Sequence, residues 1–139
     1  MVVRATRSRV WRAISTAEEL GTWFRVNLEG AFAEGEAIRG RIAIPGYEHV
    51  TMEMLVERID PDRYFSYRWH PYAVDPAVDY TPEPTTLVEF TLDDAEEGIA
   101  ITIVESGFDR LPAARQAEAF RMNQGGWNGQ AKHLSAYVS

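Results

Sequence analysis

The chain has 139 residues, a length typical of one domain with a buried core, and we expect a single domain over residues 1–139. Hydrophobic residues make up 45% of the chain, no apolar run approaches the roughly 20 residues of a membrane span, and no signal peptide opens it, which favours a cytoplasmic protein. The net charge of −7 disfavours a nucleic-acid surface, and the absence of cysteine excludes disulfides, thiolate catalysis and the usual structural zinc sites.

The N-terminal region predicts a short strand followed by two short helices. Residues 1–5 are β-prone, and Thr6 or Ser8 is suited to cap a first helix. The segment 16–19 matches the S/T-x-x-E capping box and predicts the start of a second helix. Four basic residues in this region are expected to form a solvated face: Arg4, Arg7, Arg9 and Arg12.

The middle of the chain alternates apolar and polar residues, which predicts an antiparallel sheet. The acidic segment 93–98 is expected to be a hairpin loop. The proline-rich segment 70–84, with Tyr72 and Tyr80, fits a lid, a subunit contact or surface decoration equally well. The predicted strands are 37–44, 47–59, 64–69, 85–92 and 99–106.

The C-terminal segment, 112–139, is the only one long and periodic enough for a helix that spans the domain. Three glycines near Trp127 each cost about 1 kcal/mol relative to alanine in a helix, so we expect them to allow a close backbone approach or a bend. The glycines are Gly125, Gly126 and Gly129. A stripe at 4-3-4-3-4 spacing is predicted to lie against the sheet: Phe120, Gln124, Trp127, Ala131, Leu134 and Val138.

Several short motifs, taken in order, are similar to those of one known family. They are Val10-Trp11-Arg12-Ala13-Ile14, Glu18-Glu19-Leu20 with Trp23-Phe24, Tyr67-Arg68-Trp69, Glu105-Ser106-Gly107-Phe108, and Gly126-Trp127 with Leu134 and Tyr137. Over almost the whole chain the sequence resembles the activator-of-Hsp90-ATPase-homologue-like (AHSA1-like) family of the START/Bet v 1-like (SRPBCC) superfamily. That resemblance implies an α+β helix-grip fold, in which a curved antiparallel sheet of six to seven strands wraps around a long C-terminal helix. Family members usually have a longer first strand, so here the strand is expected to be short or the start truncated.

What the resemblance implies about function is broader. The superfamily encloses a cavity between sheet and helix and uses it for apolar small molecules, some relatives are cyclases or aromatases, and the eukaryotic namesake binds a chaperone. Three alternatives follow: a protein that binds a small hydrophobic or aromatic molecule without a cofactor, a cyclase/aromatase-like or hydrolytic enzyme on an apolar substrate, and a chaperone-associated module. Fold alone does not choose among them. Neither a nucleic acid nor a membrane is an expected partner, and a homodimer is left open.

Glu105 is the principal candidate for chemistry. It shares strand parity with Ile99, Ile101 and Ile103, which predicts that its carboxylate points to the inner face of the sheet. A desolvated carboxylate there suits a general acid/base or a ligand anchor. The alternative is a structural pairing with a cation such as Arg115 or Arg121, or a position at the rim.

Other residues are expected to line the cavity or, equally, to fill it. Asn123 and Gln124 carry amides that need partners, which a ligand's oxygen, nearby backbone or solvent would supply. Trp23 also fits a core position. The apolar set is Trp23, Phe32, Met52, Met54, Phe65, Tyr67, Trp69, Val88, Phe90, Ile101, Ile103, Phe120 and Trp127.

No metal or nucleotide cofactor is expected. The three histidines, His49, His70 and His133, lack the spacing of metal ligands. The sequence also lacks the G-x-S-x-G nucleophile elbow, the dinucleotide-binding glycine motif and the P-loop.

Overall fold

The computed structural model describes residues 1–71 and 77–139, apart from the side chains at positions 118, 122, 124 and 125. In this part of the chain there are seven strands, three α-helices and a short 3-10 helix. Their order is β1 (Val2–Val3), α1 (Arg7–Ser15), α2 (Ala17–Phe24), β2 (Val26–Leu28), β3 (Ala37–Ile42), β4 (Thr51–Asp60), β5 (Tyr64–Trp69), β6 (Thr86–Ala95), β7 (Gly98–Ser106), the 3-10 helix (Phe108–Arg110) and α3 (Ala113–Val138).

The strands form one antiparallel sheet in the order β1-β7-β6-β5-β4-β3-β2. From β2 to β7 each strand pairs with the next in sequence, and β1 returns to pair with the far edge at β7. The predicted helix-grip fold, with two short helices after the first strand and a long C-terminal helix, is confirmed.

Several strand boundaries differ from the sequence prediction, and two of them differ by three residues or more. β4 begins at Thr51 rather than at position 47, because backbone bonds from Tyr47 to Ile44 and from Val50 to Tyr47 fold the preceding residues into turns. The predicted loop 93–98 is also wrong. β6 continues to Ala95 by pairing with β7, so the acidic hairpin turns through two residues only.

The alternation of each long strand places one face against the helices, as predicted. Met52, Met54 and Val56 of β4 are buried, whereas Thr51, Glu53 and Glu57 between and beside them are exposed. The inner faces of β5, β6 and β7 continue this layer. Together with α1, α2 and the C-terminal half of α3 they form one core, whose largest fully buried side chains are Tyr67, Phe65, Phe90, Ile14, Leu20, Met54, Ile101, Leu134, Val10, Val56 and Val88.

Thr6 caps α1, as predicted, because its Oγ1 accepts a hydrogen bond from the Arg9 backbone N–H at 3.2 Å. The capping box proposed for α2 is wrong, since the Thr16 side chain makes no capping bond. The carboxylate of Glu19 instead accepts bonds from Arg9 Nη1 at 2.7 Å and from the Tyr137 hydroxyl at 3.0 Å. Glu19 therefore ties the first two helices to the end of α3.

The N-terminal arginines do not form a simple solvated face. Arg7 donates to the backbone oxygens of Asp62 and Leu92 and lies 2.7 Å from the carboxylate of Asp94. Arg9 donates to Glu19 and also to the backbone oxygen of Tyr137 at 2.9 Å. The prediction is wrong for these two residues, which connect α1 to the β6 hairpin and to α3.

The stripe on α3 is buried only in its C-terminal part. Leu134 and Val138 lie in the core and Trp127 packs against it, but Phe120 is 50% exposed and its ring contacts that of Phe108, with 6.0 Å between centroids. Ala119 takes the buried position in the first part of the helix, against Tyr80 and Leu111. The prediction that Phe120 faces the sheet is therefore wrong.

Gly126 and Gly129 do not serve a close approach. A methyl group added at either position would meet no atom within 4 Å. The expectation of a close backbone approach is wrong at these two positions, and the alternative of a bend stays a prediction. Gly125 lies outside the described side chains. Open space lies where a Cβ at Gly126 would stand.

Candidate functional site

A cavity of about 660 Å³ lies between α3 and the β3, β4 and β5 side of the sheet. The sheet, α2 and α3 contribute Phe24, Ile42, Met52, Trp69, Glu105, Asn123, Gly126, Trp127 and Gln130. The rest of the lining comes from the segment before β4 and the segment after β5. It includes Ile44, Val50, His70, Pro71, Val78 and Tyr80. Apolar and aromatic side chains thus form most of the lining.

The carboxylate of Glu105 lies between Trp69 and Trp127, in the part of the cavity that we call its inner end, and joins β5, β6 and α3. Its Oε2 accepts the indole N–H of Trp69 at 2.8 Å and the hydroxyl of Thr86 at 2.5 Å. Its Oε1 accepts the indole N–H of Trp127 at 2.8 Å. Hydrogen bonds to an ionised acceptor are stronger than those between neutral groups, so Glu105 fixes both indole rings.

The inward direction of Glu105 is the one that strand parity predicts, because Ile99 and Ile101 on the same face are buried. The sequence alternative of an ion pair with Arg115 is not observed. Arg115 lies instead 3.5 Å from the carboxylate of Glu83 and over the ring of Tyr80. In the described chain, the contacts that hold Glu105 are neutral donors from β5, β6 and α3.

We call Glu105 and its three hydrogen-bond donors, Trp69, Thr86 and Trp127, the node, and aromatic rings surround it. Trp127 contacts Phe24, Trp69 and Phe90, with ring centroids 6.0, 6.4 and 5.9 Å apart. Phe24 also lies edge-on to Trp69 at 6.0 Å. Rings in these arrangements present flat apolar surfaces, which suit contact with another flat molecule.

Most polar groups on the α3 side of the cavity already have partners. Gln130 donates to the backbone oxygen of Phe24 at 3.1 Å, and its side-chain oxygen lies 3.0 Å from Nδ1 of His133. Asn123 is the exception on this wall, because its Oδ1 is buried and has no hydrogen-bond partner among the described residues. A buried acceptor without a donor is costly, so Asn123 is a candidate ligand contact.

Tyr67 lies beside the node without joining it. Register pairs Tyr67 with Val88 and Val88 with Glu105, so the three residues form a row across the inner face. The Tyr67 hydroxyl is buried and lacks a partner in the described structure. Burial, and secondly the negative charge of Glu105, raise the pKa of Tyr67 well above its usual value, which keeps the phenol neutral.

Charged residues also belong to the lining of the cavity. Arg39 pairs with Glu53 at 2.8 Å across β3 and β4. Hydrogen bonds from Thr81 lower the pKa of Asp79, which is another lining residue. With Glu105 included, the lining has three carboxylates and one arginine.

The described part of the proline-rich segment forms a wall of the cavity. His70 and Tyr80 both line it, and His70 Nε2 lies 2.8 Å from the backbone oxygen of Glu83. Tyr80 is buried against Leu111 and Ala119, so it packs within the chain. Tyr72 lies outside the described residues.

Twelve of the sixteen predicted site residues fall into two groups, cavity lining and buried core. Those that line the cavity are Met52, Trp69, Glu105, Asn123 and Trp127. Seven others are buried in the core: Trp23, Met54, Phe65, Tyr67, Val88, Phe90 and Ile101. Phe32 and Ile103 are partly buried against that core, Phe120 lies in an outer groove beside Phe108, and the side chain of Gln124 is outside the described part.

Sequence reasoning missed part of the α3 wall. Asn123, Gly126, Trp127 and Gln130 all line the cavity and follow the i, i+3, i+4, i+7 spacing of one helix face. Extending the helical pattern from Asn123 and Trp127 would have identified Gly126 and Gln130. Phe24 carried no comparable signal, because its place depends on how α2 packs beside α3.

In the described chain, no cluster of three or more histidine, aspartate or glutamate side chains is placed to hold a metal ion. The same residues include no helix that is both long and apolar enough to cross a membrane.

Comparison with known proteins places this geometry in a family. Solved structures share the fold over nearly the whole chain at low identity. The protein MLL2253 from Mesorhizobium loti is 20% identical over 99% of this chain and 92% of its own, with a TM-score of 0.76. DynU16, described as a putative protein in the dynemicin biosynthetic locus, is 21% identical over 99% of this chain and 45% of its own, with a TM-score of 0.72. The Aha1 dimer from Colwellia psychrerythraea is 14% identical over 99% of this chain and 91% of its own, with a TM-score of 0.68.

None of the proteins with curated functions matches the sequence significantly. The profile of the family described as Activator of Hsp90 ATPase homolog 1-like protein matches residues 4–139. Since that match spans nearly the whole chain, the protein belongs to the Activator of Hsp90 ATPase homolog 1-like family.

Proposed function

We propose that the protein binds a small, largely apolar molecule in the cavity between α3 and the sheet. The observation that carries this proposal is the cavity itself, about 660 Å³ in volume and bounded by Phe24, Trp69 and Trp127. Ligand pockets usually measure about 300–1,000 Å³ and combine apolar walls with a few polar groups, as this one does. The rings favour a ligand with a flat or aromatic body. The place of DynU16 in a biosynthetic locus agrees with a role in small-molecule chemistry.

Binding is favoured over catalysis by Glu105. A cyclase-like or hydrolytic reaction would require its carboxylate to exchange a proton with the substrate. Three donors, from Trp69, Thr86 and Trp127, bond to that carboxylate. All three contacts use it as an acceptor, so the arrangement suits an anchor better than an acid.

Binding is also favoured over a chaperone-associated role. The exposed apolar residues on the outer face of the sheet include Leu55 on β4 and Val104 on β7. Two strands, β5 and β6, lie between them in the sheet. Arg68 and Glu89 on the intervening strands interrupt the surface between them. In the described chain this face therefore lacks a continuous apolar patch of the kind that marks partner surfaces.

Two matched variants test the proposal. Gly126 and Gly129 both lie within α3 with open space around them, but only Gly126 lines the cavity. Gly126→Leu is expected to project into the cavity, whereas Gly129→Leu is expected to leave it open. The neutral fluorescent probe N-phenyl-1-naphthylamine should bind the wild type and Gly129→Leu alike and lose at least tenfold in affinity for Gly126→Leu. Equal affinity for all three proteins, or no binding to the wild type, would overturn the proposal.

Native mass spectrometry of protein purified from its source complements this test. A retained small molecule, released on denaturation and absent from Gly126→Leu, is the expected result. The same spectra count the subunits and so test the homodimer that the sequence left open.

A further inference from the structure

The indole donors at the inner end of the cavity are already engaged. The indole N–H groups of Trp69 and Trp127 both bond to Glu105. The side-chain amide of Gln130 donates to the backbone of Phe24. A ligand that reaches this end therefore meets the oxygen atoms of Glu105 and Asn123 and no free indole N–H group.

Two of those oxygen atoms have capacity for another bond. A carboxylate offers about four acceptor positions, and Glu105 uses three, two of them on Oε2 and one on Oε1. The buried Oδ1 of Asn123 has no partner in the described structure. Leaving a buried acceptor unpaired costs free energy that a ligand donor would recover.

Helix geometry brings these two acceptors to the same end of the cavity. Asn123 and Trp127 are four residues apart and so share one face of α3, a single turn from each other. Trp127 in turn contacts Oε1 of Glu105 directly. Gly126, next to Trp127, contributes no side chain and leaves space beside them.

The charges around the cavity act in the same direction. Glu53, Asp79 and Glu105 all belong to its lining. Arg39 also lines it but already pairs with Glu53. A ligand with an anionic group would meet net repulsion from these carboxylates.

We propose that the ligand carries a hydrogen-bond donor on its apolar body, a phenolic or alcoholic hydroxyl or an N–H group, which bonds to Asn123 Oδ1 and Glu105 Oε1, and that it carries no carboxylate. This inference rests on the proposed function and specifies the chemical class of ligand for the same cavity. It concerns the polar end of the ligand, whereas the proposed function concerns the apolar body.

Three naphthalene probes test the inference, because they share one ring system and differ in one group. The probes are 2-naphthol, which has a donor, 2-methoxynaphthalene, which has none, and 2-naphthoate, which is anionic. Affinities from calorimetry should be about tenfold higher for 2-naphthol than for 2-methoxynaphthalene, the gain expected from satisfying one buried acceptor, and lowest for 2-naphthoate. In ¹H–¹⁵N spectra, 2-naphthol should shift the indole signals of Trp69 and Trp127 and leave that of Trp11 unchanged.

Variants at Asn123 assign the contact. Asn123→Leu removes the acceptor and should abolish the preference for 2-naphthol while it preserves binding of 2-methoxynaphthalene. Asn123→Asp keeps an oxygen in both terminal positions and should preserve the preference. Loss of the preference in Asn123→Asp, or its persistence in Asn123→Leu, would overturn the assignment to Oδ1.

The outcomes separate the two proposals. Equal binding of 2-naphthol and 2-methoxynaphthalene to the wild type, or tightest binding of 2-naphthoate, would overturn the donor inference and leave the apolar cavity as the binding site. Absence of binding by every probe, with no shift of either indole signal, would overturn the proposed function and the inference with it.

Discussion

α3 has two parts with opposite surroundings, an open part (residues 113–130) and a closed part (residues 131–138). The closed part places Leu134 and Val138 in a core with α1 and α2. The open part places Asn123, Gly126 and Trp127 around a cavity. The helix is one continuous element, so the contrast arises from its side chains and from what α1 and α2 supply beside each part. The closed part can hold the helix in position while the open part keeps space for a ligand.

The largest expected effect is in the closed part of α3. Leu134 is fully buried, so Leu134→Ala removes about three methyl-sized groups and leaves a hole that the packed core can only partly refill. We expect a loss of about 3 kcal/mol in the free energy of unfolding, measured by urea denaturation. Phe120→Ala in the open part of α3 is the control. Its ring is 50% exposed, so we expect a loss below about 1 kcal/mol, and similar losses for the two variants would contradict the contrast.

A smaller effect on the free energy of unfolding is expected at Glu105 in the node, which bonds to Trp127 in the open part of α3. Glu105→Gln retains the size of the side chain but replaces one oxygen with an N–H₂ group, which faces a donor whichever way the amide turns. We expect a loss of about 1–2 kcal/mol in unfolding free energy, because one indole N–H is left without an acceptor. A change in the indole N–H signal of Trp69 or Trp127 should accompany it.

The control for this variant is Glu89→Gln. Glu89 accepts the hydroxyl of Tyr64 on the opposite face of the sheet, and a glutamine oxygen at that position can accept the same bond. Its effect should stay below about 0.5 kcal/mol. If Glu105→Gln leaves stability, the indole signals and probe binding all unchanged, Glu105 has no role in the site.

Stability at alkaline pH should reveal the burial of Tyr67 near Glu105. The pKa of Tyr67 is raised above the usual 10.0 by burial and then by the charge of Glu105, so the unfolded chain ionises before the folded one. Stability from this residue is complete below pH of about 10 and falls as the pH rises toward the folded pKa, by at most about 1.4 kcal/mol per pH unit.

Tyr67→Phe removes the titrating group and should reduce that loss. At pH 11 we expect the wild type to have lost about 1 kcal/mol more than the variant, relative to each protein at pH 8. Tyr64 and Tyr137 also have raised pKa values, but they are present in both proteins and cancel in the comparison. At neutral pH the variant should be within about 1 kcal/mol of the wild type, because the hydroxyl has no partner to lose. Parallel pH profiles would show that Tyr67 does not titrate differently on folding.

Much of the sheet could be predicted because strand periodicity is local. The alternation through Met52, Met54 and Val56 and the parity from Ile99 to Glu105 identify the inner face without any tertiary information. The partners of Glu105 could not be predicted in the same way. They come from β5, β6 and α3, and their convergence depends on strand register and helix docking, which no sequence spacing encodes.

The sequence also could not show which apolar side chains line the cavity and which fill the core. Three aromatic residues occupy inward-facing strand positions that look alike in the sequence. Phe65 and Phe90 are fully buried, whereas Trp69 lines the cavity. The difference depends on which elements pack over each side chain, and no local pattern encodes that. The glycines illustrate this, because a costly residue in a helix suggests close packing until the structure shows open space around Gly126.

The smallest expected effects on stability come from Gly126 and Gly129. They compare two positions in the open part of α3, one that lines the cavity and one that does not. Gly126→Ala and Gly129→Ala each add a methyl group that meets no neighbouring atom within 4 Å, so neither introduces strain. Each should raise the free energy of unfolding by about 0.5–1 kcal/mol through helix propensity alone, as measured by urea denaturation. Only Gly126 lines the cavity, so only Gly126→Ala should also change the affinity for N-phenyl-1-naphthylamine. A stability gain at Gly129 but a loss at Gly126 would mean that the helix surroundings at the cavity are occupied rather than open.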